Sequence, residues 1–236
     1  MTPASEWPLV SIIVAVRNGE RFLADALRSV LGQDYPAYEL LVVDGHSTDR
    51  TAEVARAFPT AQFLPQPGHG LAAALNHGVD GARGDWIALL EHDDMWTPEK
   101  LRVQIAFMQA RPELQFTMTH ARFFLEPGCS WPSGYNPDWL ARPQYGAILS
   151  SFVARKSAFA QVGRFDEGLK FSGDMDWFAR AKDLRIPMAY LEETLLLKRV
   201  HDSNATSQTQ LNNFELLQVI KRKLDRTRTS SAPAHD

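Results

Sequence analysis

Runs of apolar residues alternate with amphipathic stretches through the first half of the chain. The run "LVSIIVAV" from Leu9 is β-branched and unbroken, as in a strand that is covered on both faces. In "RFLADALRSVLGQ", which follows, apolar residues recur at the spacing of one helix face. The same order returns in "YELLVVD", which ends at Asp44, and in "STDRTAEVARAF". Strands that alternate with helices predict a parallel sheet with right-handed crossovers.

The alternation continues to Pro112 and then changes. Before it stand a predicted strand "AQFLPQ", a helix "GLAAALNHGVDGA", a strand "DWIALLEHDD" and a helix "TPEKLRVQIAFMQARP". After it, "QFTMTHARFF" and "PMAYLEETLLLKRV" predict strands, whereas "SFVARKSAFAQVG" and "GDMDWFARAKDL" predict helical segments. We therefore expect one domain over residues 9–207, with halves at 9–112 and 113–207, after a short extension at 1–8.

The C-terminal stretch, residues 208–236, predicts an amphipathic helix followed by a disordered tail. Apolar residues fall on one helical face at Leu211, Phe214, Leu217, Ile220 and Leu224. The basic end of this helix, "KRKLDRTR", has two interpretations. It is a solvated face, or it contacts anionic lipid as a peripheral attachment at the inner face of a membrane.

The segment 126–146, "EPGCSWPSGYNPDWLARPQYG", has no periodicity and contains four prolines, three glycines and four aromatic residues. A loop of this length in a compact domain is usually functional or disordered, and its aromatic residues argue against disorder. Two interpretations stay open: a lid that binds an acceptor, or a packed irregular connection.

Composition narrows the class of protein. A chain of 236 residues, 44% of them hydrophobic, can bury a sizeable core as one domain. The net charge of −3 gives no field that would attract nucleic acid. A single cysteine, Cys129, forms no internal disulfide and fits a reducing compartment. No apolar run approaches about 20 residues and the first residues lack a signal-peptide pattern, so we expect a cytoplasmic protein.

Carboxylates follow two of the predicted strands. Glu91, Asp93 and Asp94 stand in "EHDD" directly after "DWIALL", and Asp44 ends "YELLVVD". In open parallel sheets, ligands bind outside the carboxyl ends of strands, so these side chains are expected to line one crevice. Clustered carboxylates need a positive partner, and Mg²⁺ or Mn²⁺ bridging to nucleotide phosphates is one. The alternative is an acidic run that simply meets solvent.

Five segments in order resemble the family 2 glycosyltransferases of the GT-A fold. They are "SIIVAVRNGERFLADALRSVLGQDYPAYELLVVDGHSTDRT", "GLAAALNHG", "GDWIALLEHDDMWTPEKL", "GRFDEGLKFSGDMDWFAR" and "KRVHDSNATS". The resemblance runs from about Leu9 to Ser207. It implies an α/β fold with a mainly parallel, Rossmann-like sheet flanked by helices and with a C-terminal acceptor-side portion.

The resemblance also implies an activity: inverting transfer of a sugar from a nucleoside-diphosphate-sugar, with UDP-sugars as the first expectation, to a carbohydrate, glycolipid or peptide acceptor. Residues at matching positions have the following implied roles: Glu91, Asp93 and His201 hold Mn²⁺ or Mg²⁺; Asp44, Asp93, Arg199 and the backbone around Ala15 and Asn18 bind the donor; Asp174 is the catalytic base.

The chemistry gives these roles a reason. A departing diphosphate gains negative charge, which a divalent cation stabilises more in the transition state than in the ground state. The acceptor hydroxyl must lose a proton as it attacks, which suits one carboxylate, Asp174. Each assignment has a simpler alternative. Asp174 can instead cap the helix that follows it, and His201 can be an ordinary surface histidine.

Four positions depart from the family pattern: Gly45, Leu75, Glu91 and Gly173. Gly45 replaces a carboxylate, and Leu75 stands where many members have an arginine near the diphosphate. These departures keep a second hypothesis open, a non-catalytic nucleotide-sugar binder or partner subunit. A sugar-nucleotide pyrophosphorylase is a more distant alternative, because "AVRNGERF" is not the Gly-rich, Arg-containing loop that such an enzyme needs.

Overall fold

An eight-stranded mixed sheet forms the centre of the protein. The computed structural model describes residues 7–132, 135–170, 172–204 and 209–230. The strands are β1 (Val10–Val16), β2 (Tyr38–Asp44), β3 (Ala61–Pro65), β4 (Trp86–Glu91), β5 (Met95–Trp96), β6 (Phe116–Leu125), β7 (Val153–Arg155) and β8 (Met188–Val200). The helices are α1 (Leu23–Leu31), α2 (Thr51–Arg56), α3 (Leu71–Gly81), α4 (Lys100–Gln109), α5 (Asp138–Ala141), α6 (Ser157–Val162), α7 (Gly173–Asp183) and α8 (Thr209–Ser230).

The strand order is β3-β2-β1-β4-β7-β6-β8-β5. The first four strands are parallel, as the alternating pattern predicts, and β1 lies between β2 and β4. The second half is mixed: β7 is antiparallel to both β4 and β6, whereas β6 and β8 run parallel. The predicted α/β sheet flanked by helices is therefore confirmed.

One prediction of secondary structure was wrong in part. The stretch "SFVARKSAFAQVG" was expected to be helical, but it begins with the strand Val153–Arg155 and becomes helical only at Ser157–Val162. Val153 and Ala154 are fully buried because β4 and β6 pair with them on both sides. A short apolar run does not reveal by its periodicity whether it is a helix or a central strand.

The core lies on both faces of the sheet. Alternate residues of β1 point to opposite sides, so Ile12 and Val14 pack with α1 and α4 while Ile13 packs with α3, α6 and α7. Both faces of the parallel strands are thus covered, which is why their sequences read as continuous apolar runs.

The C-terminal helix α8 packs against α7. The end of the predicted domain near residue 207 and the predicted disordered tail after residue 230 lie outside the described residues, as does most of the extension at 1–8. Within the described ranges, no helix combines the length and the apolar character that crossing a bilayer requires.

Candidate active site

The carboxyl ends of three neighbouring strands bring the predicted acidic residues together. In the sheet register, Asp44 of β2 pairs with Val16 and Glu91 of β4 pairs with Ala15, so both flank β1. Ala15 itself is buried within the sheet. Asp44 and Glu91 therefore lie at the same edge of the sheet, on either side of β1, where ligands of open parallel sheets bind.

The loops after β1 and β2 are joined by hydrogen bonds. The backbone N–H of Asn18 donates to Ser47 Oγ over 2.8 Å, and Asn18 Oδ1 accepts from the N–H of Thr48 over 2.9 Å. Asn18 has a φ of 52°, in the left-handed region that asparagine tolerates better than most residues. Its side chain therefore holds the two loops together beside the crevice.

Two buried oxygen atoms near Asp44 lack hydrogen-bond donors among the described residues: Asp44 Oδ1 and Gln66 Oε1. The other oxygen of Asp44 accepts from the N–H of Ser47, and Gln66 Nε2 donates to the carbonyl of Gly68 over 2.8 Å. A buried acceptor without a donor costs about 1–3 kcal/mol. Two such acceptors at the mouth of a crevice indicate a ligand that brings N–H or O–H groups. Sequence reasoning did not identify Gln66.

The glycine at position 45 has a local explanation. A Cβ atom there would lie 3.3 Å from the carbonyl oxygen of Val16 and 3.5 Å from Gln66 Oε1. The backbone of Gly45 therefore runs close to β1 and to the free acceptor of Gln66. A side chain at this position would therefore crowd both neighbours.

The cluster "EHDD" has a positive partner within the chain. Lys198 Nζ, on β8, lies 2.8 Å from Glu91 Oε2 and 2.9 Å from Asp94 Oδ2. Ser150 Oγ donates to the same oxygen of Asp94 over 2.6 Å and accepts from the N–H of Glu91. Burial disfavours the charged amine, but the carboxylates of Asp94 and Glu91 outweigh it and raise the pKa of Lys198 well above its usual value. Sequence reasoning missed both Ser150 and the role of Lys198 here.

Asp93 and His201 face each other beside this ion pair. His201 Nε2 lies 3.0 Å from Asp93 Oδ2, which also accepts from Asn204 Nδ2. The N–H of Ser203 donates to His201 Nδ1, so Nε2 carries the hydrogen directed at Asp93. Burial opposes ionisation of Asp93, but the charge of Lys198 and the hydrogen bond from His201 hold its pKa below the usual range.

The carboxylate oxygen of Asp93 suits Mn²⁺ or Mg²⁺, whereas the imidazole nitrogen of His201 suits a transition metal, so the pair fits Mn²⁺ better than Mg²⁺ in place of the shared hydrogen. The third predicted ligand, Glu91, is instead held by Lys198. Across the ranges described, no three His, Cys, Asp or Glu side chains converge as the ligands of one ion would.

Arg199 is surrounded by partners from three parts of the chain. Its guanidinium forms ion pairs with Asp25 of α1 and with Glu126, and its Nε donates to the carbonyl of Asp93 over 3.0 Å. Phe22 and Phe124 place their rings within 4.6 and 5.1 Å of it. With its polar atoms engaged in this way, Arg199 holds the turn that contains Asp93 against the end of β8, which His201 follows.

Asp174 lies in the first turn of α7, one residue after the helix begins. The N-cap is Ser172, so Asp174 does not cap the helix, although its Oδ1 accepts from the N–H of Met175. Its carboxyl group adjoins a narrow cleft with a largely apolar wall that includes Leu75 and Phe165. Burial in this cleft, assisted by the charge of Glu91, raises the pKa of Asp174 to about 7. Leu75 is fully buried and contributes to this wall.

The neighbouring Asp176 has a different environment. It is buried and bound to Arg180 Nε over 2.7 Å. It therefore supports α7 and leaves Asp174 as the carboxylate of this helix that faces the cleft.

The segment 126–146 is attached at both ends. Glu126 pairs with Arg199, and Gln144 exchanges hydrogen bonds with Ala121 of β6. Between them, Tyr135 contacts both Trp131 and Trp139 through its ring. Residues 133 and 134 lie outside the described residues. The aromatic residues thus form a local cluster, which Trp139 joins to Phe123 of β6.

Comparison with known proteins shows that the sequence is similar to glycosyltransferases. The sequence profile described as "Glycosyl transferase family 2" matches residues 11–160. An uncharacterized glycosyltransferase of Rickettsia typhi is 32% identical over 229 residues, which cover 90% of this chain and 70% of the relative. A putative glycosyltransferase of Bacillus subtilis, EpsE, is 35% identical over 51% of this chain and 46% of its own length.

Solved structures share the fold at low sequence identity. A mannosyltransferase from Pyrobaculum calidifontis, in complex with GDP-Man and Mn²⁺, matches with a TM-score of 0.73 and 17% identity, covering 94% of this chain and 65% of that one. S. aureus TarS 1-349, in complex with UDP-GlcNAc, matches with a TM-score of 0.67 and 18% identity, covering 85% and 61%. The chain thus spans about two thirds of these proteins, and 36% of a longer TarS chain.

Proposed function

This chain belongs to glycosyl transferase family 2 and has the GT-A fold, and we propose that it transfers a sugar from a nucleoside diphosphate to an acceptor hydroxyl with inversion at the anomeric carbon. The observation that carries the proposal is the set of polar groups at one edge of the sheet. Unsatisfied acceptors for a nucleoside, a carboxylate and an imidazole for a cation, and a carboxyl group with a pKa near 7 occur together there.

The donor is proposed to bind through its nucleoside at Asp44 and Gln66. Their free oxygens accept hydrogen bonds, and both ribose hydroxyls and base N–H groups are donors. A UDP-sugar is the first candidate, since the similar TarS structures contain UDP or UDP-GlcNAc. GDP-mannose, present in the mannosyltransferase structure, is the second.

A divalent cation, Mn²⁺ or Mg²⁺, would be held by Asp93 and His201. When bound, such an ion supplies Lewis-acid stabilisation of the charge that develops on the leaving diphosphate. The Mn²⁺ in the mannosyltransferase complex supports this proposal. The role of the chain's own residues is to orient the donor: Asn204 and Arg199 hold the loop and strand end on which Asp93 and His201 meet.

Asp174 is proposed to remove the proton of the acceptor hydroxyl as that oxygen attacks the anomeric carbon. A base with a pKa near 7 is about half unprotonated at pH 7 and still binds a proton well, and such bases contribute about 10²- to 10⁴-fold to rates. A single displacement inverts the anomeric centre. A retaining mechanism of the hydrolase type needs a second carboxylate as nucleophile, and Asp176 is bound to Arg180 instead.

The acceptor is proposed to be a carbohydrate, glycolipid or peptide hydroxyl that reaches Asp174 beside the segment 126–146. Peripheral contact with a membrane is part of the same proposal, because α8 turns apolar side chains outward. Phe214 and Leu217 are 62% and 65% exposed, whereas Val219, on the opposite side of the helix, is buried. An apolar stripe next to basic residues is typical of helices that lie at the membrane interface.

The test is calorimetric titration with UDP, GDP, dTDP and CDP, with and without Mn²⁺, followed by assays of donor hydrolysis and transfer over an acceptor panel. We expect one nucleotide to bind in a metal-dependent way and its sugar to be transferred. Asp174→Asn should abolish transfer while donor affinity is retained, and Asp80→Asn, at an exposed ion pair with Arg164, serves as the control. Donor binding without hydrolysis or transfer would instead support the non-catalytic binder.

A further inference from the structure

The ammonium group of Lys198 sits between the first and last carboxylates of "EHDD". It lies within 2.9 Å of one oxygen each of Glu91 and Asp94, and Asp94 has no exposed surface. Asp94 is further bound by Ser150 Oγ and by the N–H of Arg199 over 3.1 Å. These contacts come from β8 and from the turn before β7, so the arrangement is set by the tertiary fold.

A divalent cation and this ammonium cannot share the oxygen of Glu91. A Mg²⁺ ligand oxygen lies about 2.0–2.1 Å from the ion, which would bring the ion next to the positive Lys198 Nζ. Two cations so close repel each other strongly in a site with little water. In the structure Oε2 of Glu91 is bound to Lys198, so a cation at Glu91 would have to use the other carboxylate oxygen, close to the positive ammonium group.

The direct contacts of Asp93 are different. Its Oδ2 meets an imidazole and an amide, and the ammonium group of Lys198 acts on it through charge without an ion pair as close as those to Glu91 and Asp94. A divalent ion can replace the hydrogen between Asp93 and His201 without displacing an ammonium group. The three carboxylates of "EHDD" are thus divided into two sets: Glu91 and Asp94 are bound to Lys198, and Asp93 is bound to His201.

We propose that Lys198 is a built-in counter-ion that removes Glu91 from the metal site, so that Asp93 and His201 are the protein ligands of the ion and Glu91 is a positioning residue for Lys198. This inference rests on the proposed function and revises the metal role that the family resemblance implies for Glu91. Lys198 has three N–H donors and two are directed at carboxylates, which leaves one for the donor diphosphate.

The experiment is Mn²⁺ binding, followed by the electron paramagnetic resonance signal of free Mn²⁺, with and without UDP. The proteins are the wild type and four variants: Glu91→Gln, Asp93→Asn, Lys198→Met and the double variant Glu91→Gln/Lys198→Met. We expect Glu91→Gln to bind Mn²⁺ within about twofold of the wild type and Asp93→Asn to lose at least about tenfold, the size of effect typical of groups around a metal. Lys198→Met should bind Mn²⁺ about tenfold more tightly, because it frees Glu91, and the double variant should lose that gain.

Either of two results overturns the inference. In the first, Glu91→Gln lowers the Mn²⁺ affinity as much as Asp93→Asn does. In the second, Lys198→Met does not bind Mn²⁺ more tightly than the wild type, whether UDP is present or absent. Lys198→Arg keeps the charge and should bind Mn²⁺ like the wild type, which keeps the test valid if Lys198→Met folds poorly. Sugar transfer is measured separately. If the wild type transfers no sugar but the variants show the expected Mn²⁺ affinities, the proposed function alone is rejected. If the wild type transfers sugar but the variants show the opposite Mn²⁺ affinities, this inference alone is rejected.

Discussion

Asp174 gains its chemistry from what surrounds it. The same residue type two positions later, Asp176, is bound by an arginine, whereas Asp174 adjoins apolar side chains and experiences the negative charge of Glu91. Both surroundings disfavour its charged form. The proposed division of α7 into a supporting carboxylate, Asp176, and a catalytic one, Asp174, therefore rests on a difference of environment.

This environment predicts the pH dependence of the reaction. The base must be unprotonated, and its pKa is raised to about 7, so kcat/KM should fall about tenfold per pH unit below pH 7 and level off above it. The measurement is the pH profile of sugar transfer, with the exposed-site variant Asp80→Asn expected to show the same limb. A profile that stays flat down to pH 5 would rule out Asp174 as the titrating base.

Gln66 is predicted to contribute to the affinity for the nucleotide. Gln66→Leu removes an acceptor at the crevice, so the affinity for the bound nucleotide should fall by about 1–3 kcal/mol, or roughly 5- to 150-fold. Gln66→Glu keeps the acceptor oxygen and should retain more of the affinity. Calorimetric titration measures the nucleotide affinity of both variants. If Gln66→Leu and the wild type have equal affinity, the nucleobase does not bind at Gln66.

At the scale of elements, α3 shows how closely a helix can approach the sheet. A Cβ atom at Gly78 would lie 2.4 Å from Ile13 Cγ2, inside the packed core, whereas one at Gly81 would lie 4.0 Å from Leu64 Cδ1. Both glycines belong to the same helix. The helix can pack against β1 only because position 78 has no side chain.

Gly78→Ala should therefore destabilise the protein by about 1–3 kcal/mol although alanine favours helices. Gly81→Ala, the matched control, should be neutral or stabilise by up to about 1 kcal/mol. Urea unfolding measures both. If the two variants have the same stability, then α3 can shift away from β1 at little cost.

In the helix α8, polar side chains contact the protein body and several apolar side chains face solvent, which is the reverse of an ordinary surface helix. Its polar side chains hold it to the body: Glu215 accepts from the backbone of Lys170 and Ser172, and Arg222 pairs with Asp166. Several of its apolar side chains face outward, with Leu217 and Leu224 more than half exposed, although Val219 is buried. Such a face needs a cover, and the neighbouring basic residues favour an anionic lipid surface.

Vesicle co-sedimentation tests this face. The full chain should bind vesicles that contain anionic phosphatidylglycerol, and Leu217→Ser/Leu224→Ser should lose most of that binding by removing buried apolar area. The mass of the protein in solution is measured in parallel. If the wild type does not bind vesicles but dimerises through this face, a second copy of the chain covers it.

At the scale of the whole molecule, Arg199 joins the two halves of the domain. Its ion pairs reach α1 in the first half and Glu126 in the second, and it is 6% exposed. Arg28 also pairs with Asp25, over 3.0 Å, but is 68% exposed. Two arginines that share one carboxylate partner thus differ in burial.

That difference predicts a difference in stability. Arg199→Met removes a buried guanidinium from the partly exposed carboxylates of Asp25 and Glu126 and from the carbonyl of Asp93, and it should destabilise the protein by about 1–3 kcal/mol, with weaker donor binding. Arg28→Met removes a surface pair and should cost no more than about 1 kcal/mol. Urea unfolding compares them, and a small effect at Arg199 would show that the halves are held together by apolar contacts alone.

Much of this molecule follows from its sequence. The apolar runs and helical periodicities predict the parallel strands, both late strands and the position of Asp44 and Glu91 at strand ends. Local pattern carries this information because burial on both faces dictates continuous apolar residues. The same reasoning failed at "SFVARKSAFAQVG", where neighbours from distant parts of the chain make three residues a central strand.

What only the tertiary structure decided is the partner of each polar group. The sequence determines that carboxylates end two adjacent strands and that Asp174 begins a helix. It does not determine that Lys198 and Ser150, 107 and 59 residues away from Glu91, bind it, or that Gln66 presents a free oxygen beside Asp44. Charge and hydrogen-bonding interactions depend on distances of a few ångströms in a medium with little water, and those distances arise only when the sheet brings its strand ends together.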